Sequence, residues 1–282
     1  MRTIFASLAI AFAASLSVPA TADDTCGLRY TVDIRDGKAQ SYSYGVVENG
    51  ATPIAALVLL PGGGGALDLD ENGCARYLEG NTLTRNVAAL RKAGFVTALV
   101  DTPSDHLTGD GLGGFRTTED HADDLGAIVA DVRGRTALPV FIIGSSRGTI
   151  SAVNAAANLA GIFAPDGVIL FSPITSGFVG GRKAWAAQTV FDMALGNIHR
   201  PLLVVAHESD ACIRTPPEKA RDILSRTNGA LEELVMVAGG PAANSGVKGL
   251  KACIGKYPHG FGGQDELVIE LITEFIGKAA QR

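Results

Sequence analysis

Two kinds of stretch alternate along the chain: short continuous apolar runs, and longer segments whose apolar residues recur every three or four positions. The runs at residues 54–60, 95–100, 140–143, 167–171, 201–206 and 233–237 are too short for helices and rich in residues that suit a buried strand. Between them, residues 82–93, 118–133, 149–160, 218–226 and 265–279 predict helices. Within 118–133, Leu125, Ile128, Val129 and Val132 share one face, and acidic residues crowd the first turn, where the helix dipole favours them. Residues 174–200, carrying Trp185, Val190, Phe191 and Leu195, read as one further helix-like segment, too short for a large lid domain. Near the start, residues 29–34 and 40–47 alternate around Asp36-Gly37, a hairpin signal. Strands alternating with helices imply an α/β fold with a mostly parallel sheet covered on both faces, as one domain over residues 23–282.

The first residues follow a different logic. One basic residue, Arg2, precedes an apolar run over 4–18 and the small residues Ala20 and Ala22, so residues 1–22 predict a secretory signal peptide cleaved after Ala22. An exported chain, periplasmic or secreted, is therefore expected, and no later run is apolar enough to span a bilayer. The formal net charge of −5, with no basic run, argues for a soluble acidic surface and against nucleic acid as a partner. Four cysteines, none in a C-x-x-C spacing, predict two disulfides in an oxidising compartment.

The chemistry centres on residues 139–149. Pro139 introduces the strand-like run Val140 to Ile143, Gly144-x-Ser146-x-Gly148 follows, and an alanine-rich helical segment begins at Thr149. In a chain with 35 glycines the glycine–serine–glycine spacing alone carries little weight, but strand, tight turn and helix are the context that gives it meaning. Such a turn pushes the serine hydroxyl out at the carboxyl edge of the sheet, beside a helix amino end that favours developing negative charge. Other glycine-rich stretches fail their tests. Pro61-Gly62-Gly63-Gly64-Gly65 continues with Ala66-Leu67-Asp68 instead of the lysine a phosphate loop needs. Gly109-x-Gly111-x-x-Gly114 begins several residues past its strand, so it does not open a dinucleotide site. The histidines are scattered, with no metal-binding spacing, and neither metal nor cofactor is expected.

The elbow around Ser146, an acid after a later strand (Asp210) and a histidine before the last helix (His259), in that order, resemble the α/β-hydrolase superfamily over nearly the whole chain beyond the leader. The similarity looks closest to small, lidless hydrolases of the dienelactone-hydrolase and carboxylesterase kind. That resemblance implies an eight-stranded, mostly parallel sheet with no large lid. It also implies Ser146 as nucleophile, His259 as base and Asp210 as the acid that orients it, with Glu208 as rival acid on the same loop. The backbone N–H groups of Gly63 and Arg147 would form the oxyanion hole. Two departures matter: dienelactone hydrolases use a cysteine where Ser146 stands, so that activity is not carried over, and Pro61 replaces the histidine that commonly precedes the oxyanion glycine. Asp105, His106 and Arg116 flank a loop expected to open on the same edge, which makes them candidate pocket residues. The function expected is an exported serine hydrolase acting on a small ester or related acyl compound. A non-catalytic binding protein on the same fold, or a small peptidase or amidase, is the competing reading.

The placement of acid and base carries a disulfide with it. Cys212 lies two residues beyond Asp210 and Cys253 six before His259, so contact between acid and base brings these cysteines together. Cys26 with Cys74 follows only by elimination. It meets a topological objection, since Cys26 precedes the first strand while Cys74 follows the carboxyl end of one expected to run parallel to it.

Overall fold

The structure is a computed structural model describing residues 26–48 and 50–281. The expected leader at residues 1–22 lies outside the described residues. Eight strands form one sheet: β1 Leu28–Asp33, β2 Ala39–Gly45, β3 Ala55–Leu60, β4 Phe95–Pro103, β5 Val140–Ser145, β6 Gly167–Phe171, β7 Leu202–His207 and β8 Glu232–Val237. Their order is β1-β2-β4-β3-β5-β6-β7-β8. The first two strands are the expected hairpin, β2 pairs antiparallel to β4, and every pairing from β4 to β8 is parallel. The inner strands β3, β5, β6 and β7 are buried along their whole length, which is why their sequences are apolar without alternation.

Helices cover both faces: α1 Thr82–Arg85, α2 Val87–Lys92, α3 Glu119–Thr136, α4 Gly148–Asn158, α5 Arg221–Leu224 and α6 Asp265–Ala279. Strand side chains divide between the faces by parity. Val58, Ile142, Leu170 and Val204 pack against Leu125, Ile128 and Val129 of α3 and Ile150 and Val153 of α4. Leu57, Leu59, Ile143 and Val205 pack against Leu90 of α2 and Val268, Ile272 and Phe275 of α6. Each such side chain contributes roughly 1.5–3 kcal/mol by leaving water, and together they fix the strand ends that carry the loops discussed below.

Three expected helices are cut short. The segment at 82–93 breaks at Asn86, whose side-chain amide donates to Thr82 O and to Asp265 Oδ1, each at 2.8 Å, tying the break to the start of α6. Residues 218–226 form a 3₁₀ turn, Pro217–Lys219, followed by the single turn of α5. The segment at 174–200 contains no α-helix, only 3₁₀ turns at Ala184–Ala187, Val190–Asp192 and Leu195–Asn197. Its apolar residues are real anchors but act one at a time: Val190 and Leu195 enter the α3/α4 core, while Trp185 docks on the loop after β4.

Both cysteine pairs are bonded, Cys26–Cys74 and Cys212–Cys253. The objection to the first pair is removed by the path of the chain after β3. Asp101, at the end of β4, accepts from Leu67 N at 2.7 Å and Leu69 N at 3.0 Å, and Arg29 of β1 donates to Leu69 O at 3.0 Å. With Leu67 and Leu69 buried in the α6-side core, the segment crosses β4 and β2 and delivers Cys74 to the start of β1.

Candidate active site

Ser146 sits between β5 and α4 with φ of 53°, in the left-handed region that costs a non-glycine residue about 1–3 kcal/mol. The surroundings hold it there. Its N–H donates to Phe171 O of β6 at 2.9 Å. Gly148 lets the helix start directly behind β3, since a Cβ there would stand 2.0 Å from Leu60 O. The strained turn and the glycine contact are what the spacing 144–148 encodes.

In front of the serine lies the glycine loop that follows β3. Gly62 packs so tightly that a Cβ would fall 2.8 Å from Ser146 Cβ and 2.9 Å from Ser145 O. Gly63 and Ser146 face the same cavity. Among the described residues, neither the Gly63 N–H nor the Arg147 N–H donates to a protein acceptor, so both remain available to an oxygen placed beside Ser146.

Asp210 and His259 meet. His259 Nδ1 lies 3.0 Å from Asp210 Oδ2, and both side chains are almost wholly buried. The Cys212 N–H donates to the other carboxylate oxygen at 2.9 Å. With Nδ1–H directed at the carboxylate, His259 Nε2 is left as the basic nitrogen. Glu208, the rival acid, is exposed and makes no contact with His259. Ser146 and His259 line one cavity of about 420 Å³, walled also by Leu78, Asn81 and Ile254. No hydrogen bond joins the Ser146 hydroxyl to His259 in this state; such bonds are commonly loose before substrate arrives.

Sequence reasoning missed two residues here. Thr215 donates its hydroxyl to Asp210 Oδ2 at 2.7 Å and lies 3.0 Å from His259 Nδ1. Ser172, just past the end of β6, donates to the His259 carbonyl at 2.7 Å and so holds the backbone that carries the imidazole. Each is one hydroxyl in a loop, and nothing local distinguishes it from other serines and threonines.

The three candidate pocket residues stand elsewhere. Asp105 pairs with Arg35 at 2.8 Å, and the His106 ring stacks on Phe115 with centroids 4.1 Å apart. Arg116 is 1 % exposed and lies beneath the glycine loop, outside the cavity wall: it donates to Ser151 Oγ of α4 at 2.6 Å and to Pro61 O at 3.2 Å. It clamps the glycine loop to the helix behind Ser146. His207 is also structural, accepting at Nδ1 from Ser209 N at 3.0 Å, with Nε2 3.1 Å from both Gly239 O and Gln264 Oε1.

Among the described residues, Asp210, Cys212 and His259 bring potential metal-ligand atoms within 4.8 Å. The Cys212 sulfur is committed to Cys253 and Asp210 to its hydrogen bonds, so the set does not fit a metal.

No protein-family model and no curated protein matches this sequence. Solved structures do match it in fold. Est1E from Butyrivibrio proteoclasticus is 16 % identical with a TM-score of 0.60, covering 91 % of this chain and 100 % of that one. XC6422 from Xanthomonas campestris, described as an α/β serine hydrolase without lid, is 18 % identical with a TM-score of 0.56 over 90 % and 95 % of the two chains. A dienelactone hydrolase from Anabaena variabilis is 18 % identical, with a TM-score of 0.53 over 89 % and 96 %. The chain has the α/β-hydrolase fold, without a large lid.

Proposed function

We propose that this protein is an exported serine hydrolase, carboxylesterase-like, that cleaves a small ester or related acyl compound through an acyl-enzyme. The observation that carries the reading is the 3.0 Å contact of Asp210 with His259 Nδ1, which leaves Nε2 free on the wall of the cavity that holds Ser146. Ser146 Oγ attacks the acyl carbonyl while His259 Nε2 takes the hydroxyl proton. Asp210 stabilises the imidazolium that forms. The oxyanion is received by the N–H groups of Gly63 and Arg147, each such donor being worth about 2.7–4 kcal/mol in comparable enzymes. His259 then returns the proton to the leaving alcohol, and water repeats the sequence to release the acid. Export is supported by the leader pattern at residues 1–22 and by the two disulfides.

The cavity of about 420 Å³ and the absence of a large lid favour short acyl chains. A panel of p-nitrophenyl esters of increasing chain length tests this. Rates are expected to peak at short chains, to ignore EDTA, and to show no jump at the micelle threshold of a long-chain ester. A rate that collapses with EDTA contradicts the mechanism, and interfacial activation contradicts the substrate size.

A further inference from the structure

Arg147 follows Ser146 in the chain, and Arg214 precedes Thr215, whose hydroxyl touches both Asp210 and His259. The two arginines are thus chain neighbours of the proposed nucleophile and of the threonine that touches its acid–base pair, and their like charges act on each other. The Arg147 guanidinium carbon lies 3.9 Å from the centroid of the Trp185 ring, and none of its nitrogens has a hydrogen-bond or carboxylate partner among the described residues. Arg214 is 7 % exposed and donates to two backbone carbonyls, Ser176 O at 2.7 Å and Gln188 O at 3.0 Å. Burial, and then the like charge of Arg214, push the Arg147 guanidinium down to about 10, which leaves it cationic at neutral pH. Arg147 in turn opposes the charge on buried Arg116.

Buried Arg116 also lacks a carboxylate, but its terminal N–H groups are taken by Ser151 Oγ and Pro61 O, whereas those of Arg147 have no protein acceptor among the described residues. Arg35, Arg85 and Arg133 each meet a carboxylate. Asp110, the carboxylate that reaches Trp185, is occupied by the indole N–H at 2.8 Å and by the Lys183 ammonium. A chain with a net charge of −5 therefore keeps unneutralised positive charge beside its elbow serine. Withdrawing a cation from water without a counter-ion is unfavourable, and a fold that retains such a group leaves it ready for an anion brought from outside. Trp185 lies against the guanidinium, and no protein acceptor among the described residues claims its N–H fork, the group whose geometry pairs with a carboxylate.

We propose that the substrate is an ester bearing a carboxylate, seated on the N–H fork of Arg147 while its acyl carbonyl meets Ser146. Arg214 raises the local positive potential, and Trp185, fixed by Asp110, orients the fork. The substrate class rests on the hydrolase reading, whereas the anion site does not.

The test compares monomethyl glutarate with methyl valerate, matched in acyl length, by proton release. The wild type is expected to prefer the hemiester at least tenfold in kcat/KM, mainly through KM, with the advantage shrinking as salt rises to about 0.5 M. Arg147→Gln brings the ratio close to one and Arg147→Lys keeps part of it, each ratio being taken within one variant so that any loss of overall rate cancels. A wild-type ratio near one, or a ratio untouched by Arg147→Gln, overturns the proposal. Calorimetric titration with glutarate, which needs no turnover, should give binding that Arg147→Gln removes. Glutarate binding through Arg147 by a protein that hydrolyses neither ester upholds the anion site and overturns the hydrolase reading. Hydrolysis of methyl valerate with no advantage for the hemiester and no glutarate binding does the reverse.

Discussion

The Thr215 hydroxyl lies 2.7 Å from Asp210 Oδ2, the same oxygen that meets His259 Nδ1 at 3.0 Å. Its single proton goes to the carboxylate, so toward the imidazole, 3.0 Å away, it presents a lone pair. The His259 N–H is thus shared between two oxygens, which fixes the ring plane as well as the tautomer. Thr215→Val keeps the shape and removes both contacts. A hydrogen bond to a charged group is worth about 1.5–3 kcal/mol, so kcat/KM should fall by about tenfold or more, with little change in melting temperature. Thr215→Ser should recover most of the loss. An unchanged kcat/KM in Thr215→Val contradicts the role.

Gly62 and Gly134 should respond in opposite ways to alanine. At Gly62 the new Cβ would stand 2.8 Å from Ser146 Cβ, so Gly62→Ala must displace either the glycine loop or Ser146, the proposed nucleophile. Activity should fall by about 100-fold, the cost of one lost oxyanion donor. At Gly134, in the exposed last turns of α3, a Cβ meets nothing within 4 Å, and Gly134→Ala should stabilise the fold by about 0.5–1 kcal/mol. Urea denaturation and ester hydrolysis of the two variants check both halves.

Most of the fold was legible because buried parallel strands need apolar runs, and six such runs appear with the right spacing. The Asp210 and His259 loops were legible through their position after one strand and before the last helix. Less legible was anything set by a single polar contact across the chain. Asn86 breaks a helix whose apolar period continues through it, because its amide finds Asp265 at a distance of 179 residues in sequence. Arg116 has the look of a loop residue until the fold buries it between Pro61 and Ser151. Residues 174–200 carry helix-like apolar positions, yet each anchors to a different partner, so no helical face forms.

His121 predicts the acid side of the stability curve. It is buried with Nε2 2.8 Å from Ser151 Oγ, which accepts from the Arg116 guanidinium, so a charged ring would face that cation and the imidazole stays neutral. Burial first, then Arg116, His106 and Arg35, hold its pKa well below the usual histidine value. The unfolded chain gains a proton there below about pH 6.5 while the folded one does not, so stability is complete above that pH and lost as pH falls. The contribution lost grows as the pH falls below that value, to at most about 2 kcal/mol at pH 5. In His121→Gln the difference in unfolding free energy between pH 7.5 and pH 5 should shrink; an unchanged difference contradicts the assignment.

The central claim is that Ser146 is a nucleophile activated by His259, and a fluorophosphonate probe tests it most directly. Attack by Ser146 Oγ forms an oxygen–phosphorus bond, fluoride leaves, and His259 takes the proton. Intact mass should rise by one adduct, peptide mapping should place it on Ser146, and labelling should vanish in Ser146→Ala and slow sharply in His259→Ala. An unlabelled wild-type protein, or a Ser146→Ala variant that labels at the wild-type rate, would contradict the account.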